Sequence, residues 1–166
     1  MKTLLITILG LLVISCQSSK TGLTKEEFES KINSIEKSNL DKKNLANGWY
    51  ETTRTENDFK RVDKKTSTNY FINPKPLILP ENFSKGEEFE NYEGIKGLAV
   101  YFDEIGIKIW SKATNENTDS YLIFILDNEI LTAQYVNSQI TNGASAFWKN
   151  DLTENQWNKI KGMIKN

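Results

Sequence analysis

The sequence predicts an α+β fold: a ferredoxin-like sandwich whose mainly antiparallel sheet carries helices on one face, preceded by an additional N-terminal helix. Three observations lead there. Two distant segments, near residues 24 and 153, open with the same helix-start device, Thr-x-x-Glu/Gln flanked by apolar residues. Between them, short runs of aromatic and β-branched residues are separated by turn residues, the pattern of strands. From residue 97 onward the order reads strand, helix, strand, strand, edge strand, helix, which suits helices laid over one antiparallel sheet.

Lys2 puts a positive charge ahead of residues 3–14, an uncharged stretch rich in Leu and Ile. As a helix it would span about 18 Å, too short for a hydrocarbon core of ~30 Å, and it reads as the apolar core of a signal peptide. It closes on Val13, Ile14 and Ser15, followed by Cys16, the single cysteine of the chain. An aliphatic pair, a small residue and a cysteine at that spacing resemble the lipobox of bacterial lipoproteins. The resemblance implies cleavage before Cys16, a diacylglycerol on its sulfur and a membrane reached through that lipid. Several acyl chains on one residue anchor durably where a single chain does not. The chain then divides into a signal peptide (1–15), a lipidated cysteine with a polar tether (16–22) and one α+β domain (23–166). Gln17 stands where an aspartate would resemble an inner-membrane retention signal, which favours the outer membrane in a two-membrane host.

Thr24 and Glu27 form the capping box of the first helix, with Leu23 and Phe28 as its apolar staple and Phe28, Ile32 and Ile35 as its stripe. Asn47-Gly48 is a turn, and Trp49-Tyr50-Glu51-Thr52-Thr53 a strand. Residues 54–67 are highly charged and take no assignment. Tyr70-Phe71-Ile72 is a short strand. The three prolines, at 74, 76 and 80, make 73–82 an extended connector. Residues 83–94 are acidic and also take no assignment. Gly97-Leu98-Ala99-Val100-Tyr101-Phe102 is a strand, and Asp103 caps a helix to about Thr114 with Phe102, Ile105, Ile109 and Ala113 as its buried stripe. The apolar run 121–126 is a buried strand, turned through Asp127-Asn128 into a returning strand at 129–136. Ala144 to Trp148 reads as an edge strand. The last helix repeats the first: Thr153 and Gln156 as box, Leu152 and Trp157 as staple, and Trp157, Ile160 and Ile164 as face.

Composition narrows the chemistry. With 21 Lys+Arg against 22 Asp+Glu, the net charge of -1 gives no electrostatic reason to expect nucleic acid. The absence of histidine excludes Ser-His-Asp and Cys-His machinery and any His-ligated metal, and one cysteine cannot build a Cys-rich zinc site. No phosphate loop, dinucleotide fingerprint or calcium loop is present. No cofactor or metal is therefore expected. The carboxylate groupings Glu87-Glu88, Asp103-Glu104 and Asp127/Glu129 are spaced for solvation or capping rather than for two carboxyls facing one substrate.

A resemblance runs through the patterned region. Leu98-Ala99-Val100-Tyr101-Phe102 leads into a helix ending at Thr114. Ile125-Leu126-Asp127-Asn128-Glu129-Ile130 forms a Leu-Asp-turn hairpin that runs on to Ala133-Gln134. Ile140-Thr141-Asn142-Gly143 and Leu152-Thr153-Glu154-Asn155-Gln156 follow, and Asn69-Tyr70-Phe71-Ile72-Asn73-Pro74 stands upstream as a lead-in strand and proline. In this order the segments resemble the head subdomain of the first periplasmic domain of SecD/SecDF, the export-assisting partner of the Sec translocon, over residues 69–165. Gln134 departs from that family's proline and Asn128 from its turn glycine. The family's base subdomain and transmembrane helices have no counterpart in these residues. The resemblance implies a fold and contact with polypeptide chains, not a proton-driven motor.

Both faces of the strand 121–126 are apolar, so something must cover each. Either segment 23–95 of the same chain does so, or the second face is an apolar groove for a peptide or partner protein, with Trp49, Tyr50, Tyr101 and Trp148 as aromatic anchors. The expectation is a non-catalytic, lipid-anchored envelope protein that binds protein or peptide. The alternatives are a carboxylate-dependent envelope hydrolase and a structural or assembly lipoprotein.

Overall fold

The structure is a computed structural model and describes residues 23–165. Val13, Ile14, Ser15 and Cys16, with the signal peptide and tether read from them, lie outside the described residues. The elements run α1 (Lys25–Lys42), β1 (Gly48–Thr53), β2 (Lys60–Val62), β3 (Asn69–Ile72), β4 (Phe83–Glu90), β5 (Lys96–Phe102), α2 (Glu104–Glu116), β6 (Tyr121–Leu126), β7 (Glu129–Tyr135), β8 (Ala144–Trp148) and α3 (Glu154–Met163). The fold is α+β and every strand pair is antiparallel. The strands form two sheets rather than one, in the orders β2-β3-β1-β6-β7 and β4-β5-β8.

The local devices are in place. Both capping boxes form, with Thr24 accepting from the Glu27 N–H and Thr153 from the Gln156 N–H. Asp103 accepts from the Gly106 N–H and starts α2. Asp127 and Asn128 take φ of 52° and 65°, the left-handed pair that a two-residue hairpin with matching strand twist requires. Pro80 begins a single 3-10 turn over Pro80–Asn82, where its missing N–H costs nothing.

Two segments left unassigned are strands. β4 carries polar residues on both faces, so no alternation marks it; its pairing with β5 supplies the missing order. β2 is three residues long and pairs with β3. In α2 the buried side is led by Gly106, Trp110 and Ala113, while Ile105 and Ile109 are half-buried against α1. The indole of Trp110, larger than either isoleucine, takes the central position.

The core has two main parts, one on each face of β6. Leu122, Phe124 and Leu126 join Trp49, Trp110, Phe102, Phe147, Trp157 and Ile160 under the helices and the smaller sheet. Ile123 and Ile125 join Leu45, Tyr50, Phe59, Ile72 and Ile130 on the other side. The chain itself therefore covers the second face of β6. The larger sheet curls until its end strands β2 and β7 lie against each other, and Arg61 Nε donates to Asn128 O at 3.0 Å across that closure. α1 seats Phe28 and Ile32 on Leu79, from the proline-rich connector, and on Ile105 and Ile109 of α2.

Candidate functional site

Two of the four aromatic anchors predicted from sequence belong to the core instead. β1 is the central strand of the larger sheet, so consecutive residues enter opposite cores. Trp49 is fully buried, with ring centroids 5.0 Å from Trp110, 5.2 Å from Phe124 and 5.8 Å from Phe147. Tyr50 is fully buried on the other side; its hydroxyl donates to Ala46 O at 2.9 Å and accepts from Asn39 Nδ2 at 3.3 Å. Burial pushes its pKa up to about 12. Neither ring can meet a partner.

Tyr101 and Trp148 share the outer face of the three-stranded sheet, at opposite borders of it. The register pairs Gly97 with Trp148, Ala99 with Ala146 and Tyr101 with Ala144, and directly opposed residues share a face. That face has a floor of glycine and alanine bordered by aromatic rings, whereas Leu98, Val100 and Phe147 fill the inner face. Phe89 lies over Gly97, where its ring atoms would stand 2.3 Å from an added Cβ, and it meets Trp148 edge-on at 5.1 Å. At the other border Tyr101 donates its hydroxyl to Glu87 Oε2 at 3.1 Å, and Lys85 pairs with the same carboxylate. Lys85 and then Tyr101 hold Glu87 below the usual carboxylate range.

The opposite wall is β7. Thr132, Ala133, Gln134 and Tyr135 face β8 across a groove of about 660 Å³, a size typical of ligand sites. The Gln134 side chain crosses it: Nε2 donates to Ala146 O at 2.7 Å, and Ser145 Oγ donates to Oε1 at 3.1 Å. Phe89, Gln134 and Tyr135 were not among the predicted site residues. Phe89 sits in an acidic segment with no strand alternation, and Gln134 carries no sequence signal beyond its departure from the SecDF proline.

Most of the carboxylates in those groupings are held in ion pairs or caps. Glu88 pairs with Lys161, Asp127 with Lys159 and Glu129 with Lys64, while Asp103 is held by the α2 cap and by Asn82 Nδ2 at 3.2 Å. A second groove of about 440 Å³, between α1 and α2, is lined in part by Glu29 and Glu51. Glu29 faces Lys25 at 3.7 Å and Glu51 accepts from Asn117 Nδ2 at 2.9 Å. Among the described residues, no group of three His, Cys, Asp or Glu is placed to hold a metal, and no helix is long and apolar enough to cross a membrane.

Among the described residues, these features define an antiparallel α+β fold with an open sheet face and an aromatic-bordered groove. No family model matches the chain. No curated protein matches it in sequence. Its fold is similar to that of SecDF structures. It is similar to SecDF in a super-membrane-facing form, with TM-score 0.51 and 12% identity over 81% of this chain and 20% of that one. It is also similar to a structure described as a membrane component SecDF that enhances protein export, with TM-score 0.53 and 13% identity over 86% of this chain and 69% of that one. The chain thus spans about a fifth of the length of the first protein. A match over 86% is longer than residues 69–165 alone supply, so the likeness also includes chain before Asn69.

Proposed function

We propose that this chain is a lipid-anchored cell-envelope protein whose SecDF-like domain is non-catalytic and binds protein or peptide in the groove between β8 and β7. One observation carries the reading: an open sheet face with a glycine and alanine floor, bordered by the rings of Phe89, Tyr101 and Trp148. The likeness to SecDF, one structure of which is described as enhancing protein export, supports a polypeptide as the ligand. The lipobox at Val13–Cys16 supports an anchor at Cys16, in the outer membrane where two membranes exist.

Binding is tested with the full chain and a chemically unfolded client protein. Suppression of client aggregation by the native chain, reduced severalfold in Trp148→Ala, is the expected result. A client that aggregates at an unchanged rate up to high micromolar chain removes the reading. Anchoring is tested by metabolic labelling with a fatty-acid analogue: Cys16→Ser should lose the label and leave the membrane fraction. Retention of the label in that variant would overturn the anchor.

A further inference from the structure

We infer that the groove takes its ligand as an added β-strand, an extended polypeptide segment seated between the free edges of β7 and β8. The inference rests on the binding proposed above and names how that binding is made. In an antiparallel pair, residues alternate between those that exchange backbone hydrogen bonds with the partner strand and those whose N–H and C=O point away from it. The phase on β8 is fixed by Phe102 N–H, which donates to Gly143 O at 2.8 Å. Gly143, Ser145 and Phe147 therefore turn toward β5, and Ala144, Ala146 and Trp148 turn their backbone groups outward. On β7 the phase is fixed by Val136 N–H, which donates to Ser120 O at 2.9 Å. Thr132 and Gln134 bond to β6, and Ala133 and Tyr135 face outward.

Both outward edges line the same groove, yet they end separate sheets and do not pair with each other. Side chains stand in for a neighbouring strand. Asn142 Oδ1 accepts from the Ala144 N–H at 3.2 Å, and Gln134 Nε2 donates to Ala146 O at 2.7 Å. One side-chain acceptor and one side-chain donor thus occupy the places that a strand's C=O and N–H would fill, which also blunts an otherwise exposed edge. A ligand that offers donors and acceptors alternately along its length, toward an edge on either side, is an extended polypeptide. The residues lining the groove include one charged side chain, Asp151, which faces Lys65 at 3.7 Å. With that carboxylate paired, a nearly neutral groove favours an uncharged segment over a strongly charged one. Alternate side chains of the added strand would stand beside Ala144, Ala146 and Trp148 on the outer face, and Gln134 would swing away from Ala146 O.

The test uses the full chain and a fluorescein-labelled peptide of eight alternating valines and threonines, with lysine at each end, read by anisotropy. A second peptide of the same sequence is N-methylated at every other residue. Ala146→Pro removes an outward N–H without taking a bond from β5, which is where a strand tolerates proline. About tenfold weaker binding is expected both for the methylated peptide with the native chain and for the unmodified peptide with Ala146→Pro. Gln134→Ala should bind the unmodified peptide at least as tightly as the native chain. If the methylated peptide binds as well as the unmodified one, strand addition is overturned while peptide binding stands. Because that comparison uses the native chain, it decides the question even if Ala146→Pro does not fold. If the unmodified peptide does not bind at all, the strand and the binding reading both fall. If the chain self-associates through this edge and Ala146→Pro abolishes that association, the occupant is a second copy and the inference is overturned.

Discussion

The two sheets share one pairing pattern and stand in opposite relation to solvent. In the larger sheet, β6 is buried from Leu122 to Leu126, and the end strands come back into contact through β2 and β7. In the smaller sheet, the inner face is covered by α3 through Trp157 and Ile160, while among the described residues the outer face is open and one edge of β8 is unpaired. Side-chain size explains the difference. β6 projects Leu122 and Phe124 one way and Ile123 and Ile125 the other, so leaving either face exposed would cost several kcal/mol, at ~25 cal/mol per Å² of apolar surface. β5 and β8 send their bulk inward and present Gly97, Ala99, Ala144 and Ala146 outward, so an uncovered face exposes little apolar area. A sheet face can stay open at low cost when its floor is small and its large rings are kept to the border.

The sharpest way to break this contrast is to truncate one tryptophan from each sheet. Trp49→Ala should lower unfolding free energy by about 3–5 kcal/mol, and Trp148→Ala by about 1 kcal/mol, in urea titrations. Equal losses would mean that the outer face is as packed as the core.

A second measurement concerns pH. Tyr50 is neutral in the fold with its pKa at about 12, against about 10 when unfolded. Its contribution is therefore complete below pH ~10 and is lost as pH rises toward ~12, where the unfolded chain has released a proton that the native chain keeps. About 2 kcal/mol should disappear across that window, and Tyr50→Phe should flatten this alkaline slope.

Gly97→Ala places a methyl 2.3 Å from the Phe89 ring and should cost about 1–2 kcal/mol, with Phe89 displaced from Trp148. A crystal structure of that variant with the ring unmoved would contradict the account of the floor. The smallest effect is expected for Gln134→Ala. It should change stability by less than about 1 kcal/mol, because Ala146 O and Ser145 Oγ can turn to water in an open groove. A larger loss by thermal unfolding would mean that Gln134 ties the two sheets together structurally.

What could be read from sequence follows the same division. The capping boxes at Thr24 and Thr153, the Asp127-Asn128 turn and the apolar run of β6 are specified by residues within a few positions of one another. β4 has no such signature: Lys85, Glu87 and Glu88 give it polar residues on both sides, and only its partner β5 makes it a strand. Trp49 and Tyr50 looked like anchors because a strand's own sequence does not say that another layer covers each of its faces. Tyr101 and Trp148 sit at the groove because the β5–β8 register, a long-range fact, aligns them on one side. The division of the strands into two sheets is likewise a matter of which edges meet, and it carries no local mark. Gln134 was visible only as an odd residue in a family pattern, and its bridging role needed the position of β8.

The four tryptophans differ sharply in their access to solvent. Trp49, Trp110 and Trp157 are 0%, 1% and 5% exposed, whereas Trp148 is half-buried at the groove. Acrylamide should therefore quench one class of emission and spare the rest. The protein carries its own optical reporter at the place where a ligand would sit, and occupancy can be followed in the unmodified chain as the disappearance of its quenchable fluorescence.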